Sequence, residues 1–210
     1  MNAKEKVQEI YNLLKKEYSD MKVMLNFTNP LELLVATILA AQCTDERVNI
    51  VTKELFKKYP QAIDYANADM EELQEDIRST GFFKNKAKSI KNAAFSIINN
   101  YNGKVQSTMD ELVKLPGVGR KTANVVLGNC FDTPGIIVDT HFKRLMGRIG
   151  LSDNTNPEKI EFDLIKITEE KIRTEFSNYI TTHGRQICKS RKPQCEKCAI
   201  SALCDYYTSI

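Results

Sequence analysis

The sequence predicts an all-α fold, because apolar residues recur at helical spacing through most of its length and strand patterns are nearly absent. Three stripes, Val7 to Tyr18, Val48 to Tyr59 and Ala87 to Tyr101, each mark a helix with one buried face. The best β-branched run, Ile136 to Val138, is too short for a convincing sheet strand, so we expect an extended connector there. No internal repeat suggests a solenoid.

Cap residues predict further helices in chain order. The pair Asn29-Pro30 supplies an N-cap and a first-turn proline for residues 31–41, which are apolar on nearly every face and predict a central buried helix. Thr108 and Glu111 fit a capping box at the start of another helix. The pair Asn156-Pro157 opens a later one.

The composition is that of a globular protein with an ordinary core. Of the 210 residues, 42% are hydrophobic and 27% are charged, and the mean hydropathy is −0.37, which argues against a disordered or membrane-embedded chain. The longest apolar stretch, Leu33 to Ala41, is about half as long as a bilayer crossing requires. No signal-peptide pattern opens the sequence, so we expect a cytoplasmic protein.

A glycine-containing hairpin is the first feature that suggests a polyanionic partner, because the formal charge of +3 does not. Pro116 ends one helical pattern, and Gly117 and Gly119 permit backbone conformations and close approaches that a Cβ would obstruct. A second helix starts near Arg120, so its free N–H groups and those of the turn, including that of Val118, would form a neutral cradle for a DNA phosphate.

Two other interpretations of this hairpin were weighed. A nucleotide P-loop fails because Leu115 and Arg120 stand where glycines are required, and because a helix rather than a strand comes before. An ordinary helix-helix turn with a solvated lysine stays open, since glycine turns between helices are common.

Lys121 and Asp139 are candidate catalytic residues. Lys121 lies in the first turn of its helix, where the positive end of the macrodipole disfavours an ammonium and favours a nucleophilic neutral amine. Asp139 follows eighteen residues later and is placed as the N-cap of another helix. It has either that role alone or also the role of taking a proton from Lys121 and stabilising a cationic sugar transition state.

Four cysteines near the end of the chain predict a metal centre. Cys188, Cys195, Cys198 and Cys204 have the spacing C-x6-C-x2-C-x5-C. One close pair with two looser ligands favours a [4Fe-4S] cluster, although four-thiolate zinc sites overlap with it in appearance. The other two cysteines, at positions 43 and 130, lie in apolar helical patterns and are interpreted as buried hydrophobic residues.

Together, residues 115–126, residues 138–144 and the cysteine spacing resemble the helix-hairpin-helix, Gly/Pro…Asp superfamily of DNA glycosylases, and specifically its endonuclease III family. The resemblance covers almost the whole chain. It implies that Lys121 attacks the sugar C1′ of a damaged nucleotide, that Asp139 is the essential carboxylate, and that the cysteines bind a [4Fe-4S] cluster. The expected activity is that of a DNA N-glycosylase and AP lyase that removes oxidised pyrimidines through a Schiff base and β-elimination.

The resemblance also implies an architecture. It predicts a two-lobed all-α protein in which residues 22–133 form the helical domain with the hairpin, while residues 1–21 and 134–210 form the cluster domain. Double-stranded DNA containing damaged bases or abasic sites would lie in the groove between the lobes, with Lys121 and Asp139 facing each other there. A monomer is expected.

Further residues are candidates for DNA contact by the same resemblance. Gln42 and Phe82 match the family's wedges, which fill the space left by an extruded nucleotide, although the family commonly has leucine at the Phe82 position. Without the family, Gln42 would be interpreted as a helix-end hydrogen bonder and Phe82 as a core residue. Lys192, in the basic loop between the first two cluster ligands, is assigned to a phosphate. His141 is either a phosphate contact or a helix-terminal surface residue.

Three rival functions are distinguishable. An adenine-mismatch glycosylase shares the hairpin, the aspartate and the cluster, but that branch lacks the lysine found here at position 121. A non-catalytic hairpin module would bind DNA and leave it unchanged. A ferredoxin-like electron carrier would explain the cysteines alone and would not bind DNA in a salt-dependent way.

Overall fold

The computed structural model describes residues 1–19 and 25–209, and all regular secondary structure within them is helical. The twelve α-helices of these residues are α1 (Ala3–Glu17), α2 (Pro30–Leu39), α3 (Asp45–Lys58), α4 (Ala62–Asn67), α5 (Met70–Asp76), α6 (Phe83–Tyr101), α7 (Met109–Leu112), α8 (Arg120–Cys130), α9 (Thr140–Ile149), α10 (Pro157–Ile167), α11 (Arg173–Gln186) and α12 (Asp205–Thr208). Short 3-10 helices cover Arg78–Thr80, Glu170–Ile172, Cys195–Lys197 and Ser201–Leu203. The all-α prediction is confirmed, and no described helix is long and apolar enough to cross a membrane.

The chain divides into two compact units. One comprises Val23–Asp132, and the other comprises Met1–Lys22 together with Thr133–Ile210. Each unit has a hydrophobic core of its own. The chain therefore begins in the discontinuous unit, builds the 23–132 unit, and then returns to complete the discontinuous one.

The core of the 23–132 unit is built around α2. Asn29 caps this helix by accepting a hydrogen bond from the Glu32 N–H at 3.0 Å, and Pro30 occupies the first turn. Every residue from Leu33 to Leu39 is buried, as the apolar sequence predicts, but the helix ends at Leu39, two residues before the predicted end. The helices α3, α6 and α8 pack against it, and α6 also packs against α4 and α5.

The short helix α7 begins as predicted but without the predicted capping box. Its N-cap, Thr108, makes no side-chain hydrogen bond to the backbone. The Thr108 hydroxyl instead donates to a carboxylate oxygen of Glu111 at 2.7 Å. With only four residues, α7 relies on the buried Leu112 for its position.

In the unit of residues 1–22 and 133–210, α11 packs against α9 and α1. The predicted connector at 136–138 is buried and forms neither helix nor strand, and polar side chains of α11 bind the backbone here. The Ile137 N–H donates to the Ser177 hydroxyl at 3.0 Å, and the Gly135 N–H donates to the Thr174 hydroxyl at 3.1 Å. These bonds satisfy buried backbone groups without a sheet.

Candidate active site and nucleic-acid interface

The hairpin between α7 and α8 has the local structure that its sequence indicates. Gly117 has a φ of +79°, and a Cβ built on it would lie 2.5 Å from the Ser89 Cβ of α6. Both conformation and packing therefore require glycine there. Gly119 differs, because it has a φ of −94° and a Cβ on it would meet no atom within 4 Å. Its lack of a side chain leaves open space in front of the helix.

The first turn of α8 is left uncapped. Gly119 is the N-cap and supplies no side-chain acceptor, and α8 begins at Arg120 as predicted. The intrahelical bonding starts with the Ala123 N–H, which donates to the Gly119 carbonyl at 3.0 Å. The earlier N–H groups of the helix have no intrahelical acceptor, so this end can bind an anion.

Lys121 lies on this turn and is exposed. Within the described residues its amine makes no hydrogen bond or ion pair. The amine is accessible to an electrophile.

Asp139 is half-buried at the start of α9, in the other unit. Its Oδ1 accepts a hydrogen bond from the Phe142 N–H at 2.7 Å, so the predicted N-cap is confirmed. Its second oxygen makes no hydrogen bond within the described residues. The cap therefore holds the carboxylate in one orientation while leaving one oxygen for another partner.

Gln42 and Phe82 both occupy exposed loops with left-handed backbone, at φ of 54° and 49°. Phe82 is 63% exposed, so its interpretation as a core residue is wrong. The core contact is made by Phe83, which packs partly buried against the 23–132 core and lies 5.8 Å from the Arg78 guanidinium. Gln42, for its part, makes no hydrogen bond within the described residues, which removes the helix-end interpretation. Both residues therefore have an exposed side chain on a strained, left-handed backbone, and neither side chain has a structural role within the described residues.

The lysines that follow Phe82 do not form one basic patch. Lys84 and Lys88 are exposed. Lys91 is partly buried and donates to the Ala68 carbonyl. Lys86 is buried and donates to the carbonyls of Leu39 and Thr80, both at 2.8 Å. Lys86 lies on the same face of α6 as the apolar stripe, a signal that the charge pattern obscured.

The four C-terminal cysteines line one pocket, together with Pro193 and Tyr206. Burial, with the neighbouring thiols of Cys188, Cys204 and Cys195, raises the pKa of Cys198 to about 11. No group of three or more ligating side chains in the described part of the chain is arranged to hold a single metal ion. Four thiols on one pocket are a donor set that can hold a metal centre.

Two arginines of α9 hold the loop that follows Cys188. The Arg148 guanidinium donates to the Lys189 and Ser190 carbonyls at 2.8 and 3.0 Å, and lies 3.2 Å from the Cys188 sulfur. Arg144 donates to the Cys188 carbonyl at 2.8 Å. No motif in the sequence indicated these contacts, although the two arginines are one helical turn apart.

The basic side chains of that loop are free of these contacts. Lys189, Arg191 and Lys192 are exposed, and Lys192 has a φ of 52°. His141 is half-buried, with its Nδ1 3.3 Å from the Arg144 guanidinium. That guanidinium also donates to the Gly184 carbonyl of α11 at 2.8 Å, so Arg144 is engaged by backbone acceptors.

The other two cysteines belong to the 23–132 unit. Cys43 and Cys130 are half-buried and pack against its core, so they are less enclosed than predicted. Burial raises the pKa of the Cys130 thiol, which favours the inert protonated form.

The sequence and the fold of this chain are similar to those of known proteins. Residues 35–170 match the family described as the HhH-GPD superfamily of base excision DNA repair proteins. An endonuclease III of Synechocystis is 49% identical over 97% of this chain and 93% of its own. A solved non-covalent endonuclease III–DNA complex is 41% identical, covers 100% of this chain and 98% of its own, and superposes with a TM-score of 0.93. A trapped covalent endonuclease III–DNA intermediate has the same identity and TM-score, with coverages of 100% and 99%.

Proposed function

Since the chain belongs to the HhH-GPD superfamily of base excision DNA repair proteins, and within it to the endonuclease III family, we propose which of its residues perform the reaction. It is a DNA N-glycosylase and AP lyase of base excision repair that acts on damaged bases in DNA.

Lys121 is the nucleophile. Its neutral amine attacks C1′ of the damaged nucleotide while the glycosidic bond breaks, and the base departs with the bonding electrons and gains a proton. Loss of the amine proton and opening of the sugar ring give a Schiff base, from which β-elimination expels the 3′ phosphate. Water then releases the lysine. The observation that carries this assignment is an exposed amine in the first turn of α8 that has no hydrogen-bond or ion-pair partner among the described residues.

Asp139 accepts the amine proton and stabilises positive charge on the sugar. Its N-cap bond to the Phe142 N–H supports this role, because the bond fixes the carboxylate while one oxygen stays without a hydrogen-bond partner in the described residues. A carboxylate that already has one charge-assisted bond is held ready without further ordering.

Duplex DNA is bound by the hairpin and by the loops of both units. The Gly119 N-cap, which has no side chain between a ligand and the first turn of α8, supports binding of one phosphate there. Exposed Lys192 and half-buried His141 are assigned to other phosphates. Extrusion of the damaged nucleotide leaves a space, and the exposed Gln42 and Phe82 are the wedges that fill it. The substrate class is oxidised pyrimidines.

The cofactor is a [4Fe-4S] cluster held by Cys188, Cys195, Cys198 and Cys204. Their thiols line one pocket, and their spacing, one close pair with two looser ligands, favours a cluster over zinc. When bound, the cluster would cross-link residues 188–204, with the Arg148 guanidinium beside the Cys188 sulfur. The cluster has a structural role: it would orient the basic loop between Cys188 and Cys195.

Borohydride trapping tests the central assignment. Incubation with duplex DNA containing thymine glycol, followed by reduction, should link the protein covalently to the cleaved strand. The same experiment on an abasic site separates the lyase step from base removal. Failure of the wild-type protein to form either adduct would overturn the Schiff-base assignment.

A further inference from the structure

A buried lysine joins the two loops that carry Gln42 and Phe82. Lys86 is only 5% exposed, and its ammonium donates to the Leu39 and Thr80 carbonyls at 2.8 Å each. Within the described residues it has no carboxylate partner. The positive charge of the ammonium is therefore stabilised by the dipoles of two backbone carbonyls and not by a carboxylate of the described residues.

The two carbonyls lie immediately before the two candidate wedges. Leu39 is the last residue of α2, three residues before Gln42, and Thr80 ends the 3-10 helix two residues before Phe82. The Lys86 backbone N–H also donates to the Phe82 carbonyl at 3.1 Å. One residue therefore contacts both loops at their bases.

The contact of the Lys86 ammonium with the C-terminal end of α2 is electrostatically favourable. The last turn of α2 has no basic residue, and its terminal carbonyls carry the negative end of the helix dipole. The Lys86 ammonium caps one of these carbonyls from a helix distant in sequence. The link between α2 and residues 78–80 is consequently a charge-assisted one.

Burial of the charge has an energetic cost that an apolar residue would avoid. Burial lowers the pKa of Lys86, showing that the protonated form is penalised there. The position lies on the apolar face of α6 beside Ala87 and Ile90, where a methionine side chain would fit the pattern. Buried polar groups of this kind can specify one arrangement at the expense of stability.

We propose that Lys86 is a positioning residue that sets the separation of the Gln42 and Phe82 loops, so that both side chains enter the duplex together. The inference rests on the proposed wedge roles of those two residues. Strain at both wedges fits this role, because left-handed backbone at a non-glycine residue persists only where the surroundings hold it.

The matched control lies five residues later on the same helix. Like Lys86, Lys91 donates from its ammonium to the backbone, but to one carbonyl, that of Ala68, which belongs to neither wedge loop. Lys86→Met and Lys91→Met make the same chemical change to the same helix. Only the first removes a link between the wedge loops.

The experiment compares two substrates under single-turnover conditions. The rate of strand cleavage at an abasic site is measured in a duplex, where the wedges act, and in a single strand, where no partner base has to be displaced. In parallel, 2-aminopurine fluorescence opposite a stable abasic analogue reports disturbance of the estranged base. Lys86→Met should lower the duplex rate and the fluorescence change about 10-fold to 100-fold, with the single-strand rate unchanged. Lys91→Met should leave the duplex rate, the single-strand rate and the fluorescence change at their wild-type values.

The outcomes separate this inference from the wedge assignment. If Phe82→Ala combined with Gln42→Ala leaves the fluorescence change intact, the wedge roles are wrong and the inference falls with them. If that double variant loses the signal while folded Lys86→Met keeps it, only the positioning role is overturned. Folding is checked by circular dichroism. Should Lys86→Met not fold, Lys86→Gln takes its place, because its amide is uncharged and one bond shorter than the lysine side chain. A wild-type duplex rate and fluorescence change in that variant would equally contradict the positioning role.

Discussion

Gly117 and Ser89 approach each other so closely that a Cβ on Gly117 would lie 2.5 Å from the Ser89 Cβ. The hairpin is thereby pressed against α6, and its turn has a φ of +79° at the same residue. Two residues on, Gly119 meets no atom within 4 Å. The two glycines of one turn consequently have different reasons to be glycine.

Gly117→Ala should destabilise the protein by about 2–4 kcal/mol, because it combines left-handed backbone strain with overpacking against Ser89. Gly119→Ala should leave the unfolding free energy within about 0.5 kcal/mol of wild type while weakening DNA binding, since the added methyl group obstructs a phosphate. Urea denaturation and salt-dependent DNA binding measure the two effects. Ser89→Gly should recover part of the loss in Gly117→Ala; equal stability of the two alanine variants would contradict this account.

Lys121→Ala should abolish borohydride trapping on abasic DNA, because no other amine occupies the first turn of α8 at that position. DNA affinity should fall less than threefold, since the backbone N–H groups of the hairpin remain. Gel-resolved adducts and equilibrium binding give both values. Trapping at the wild-type level would remove Lys121 from the reaction.

Asp139→Asn should reduce base removal by about 100-fold or more without loss of stability. Asparagine is as good an N-cap as aspartate, so α9 keeps its cap while the carboxylate is lost. Asp139→Ala is the complementary variant and should additionally lose about 1 kcal/mol of stability. Single-turnover glycosylase rates and thermal unfolding test the pair, and full activity of the asparagine variant would refute the catalytic role.

Phe82→Ala should affect activity, whereas Phe83→Ala should affect stability. Phe82 is exposed, so its removal should leave stability nearly unchanged and slow the reaction on duplex DNA. Phe83 packs against the core, and its truncation should cost about 1–3 kcal/mol. Thermal unfolding and duplex excision rates distinguish them; a marked loss of stability in Phe82→Ala would be inconsistent with the structure.

Cys198→Ser should lower bound iron and sulfide to background and lower Tm, because four thiolates are required for a stable cluster and metal binding contributes to folding free energy. Cys43→Ser is the control, since Cys43 lies in the 23–132 unit and does not line the cysteine cavity. Its iron content should equal that of wild type. Zinc in place of iron in the purified wild-type protein would contradict the cluster assignment.

Several elements were predictable because their signals are local. The cap at Asn29, the start of α8 at Arg120 and the cap at Asp139 each depend on a few neighbouring residues, and each lies where the sequence indicates. The capping box at Thr108 was wrong because its hydroxyl bonds to the Glu111 side chain instead of the backbone. The starts of α4 and α5 also carry local cap signals, Asp64 bonded to the Gln61 N–H and Asp69 as an N-cap, which the prediction missed. The helix α11 begins without a side-chain cap. In α11, buried Thr, Ser and His residues interrupt the apolar pattern, and packing alone makes that face internal.

By itself the sequence determined the all-helical class, the hairpin, the cysteine spacing and the family, since these depend on residue type and spacing along the chain. Only the tertiary structure decided which of two adjacent phenylalanines faces solvent, and which of four neighbouring lysines is buried. The residue types are identical within each set, so propensity and charge cannot separate them. The difference arises from contacts with segments far away in sequence, such as the Leu39 carbonyl that holds Lys86.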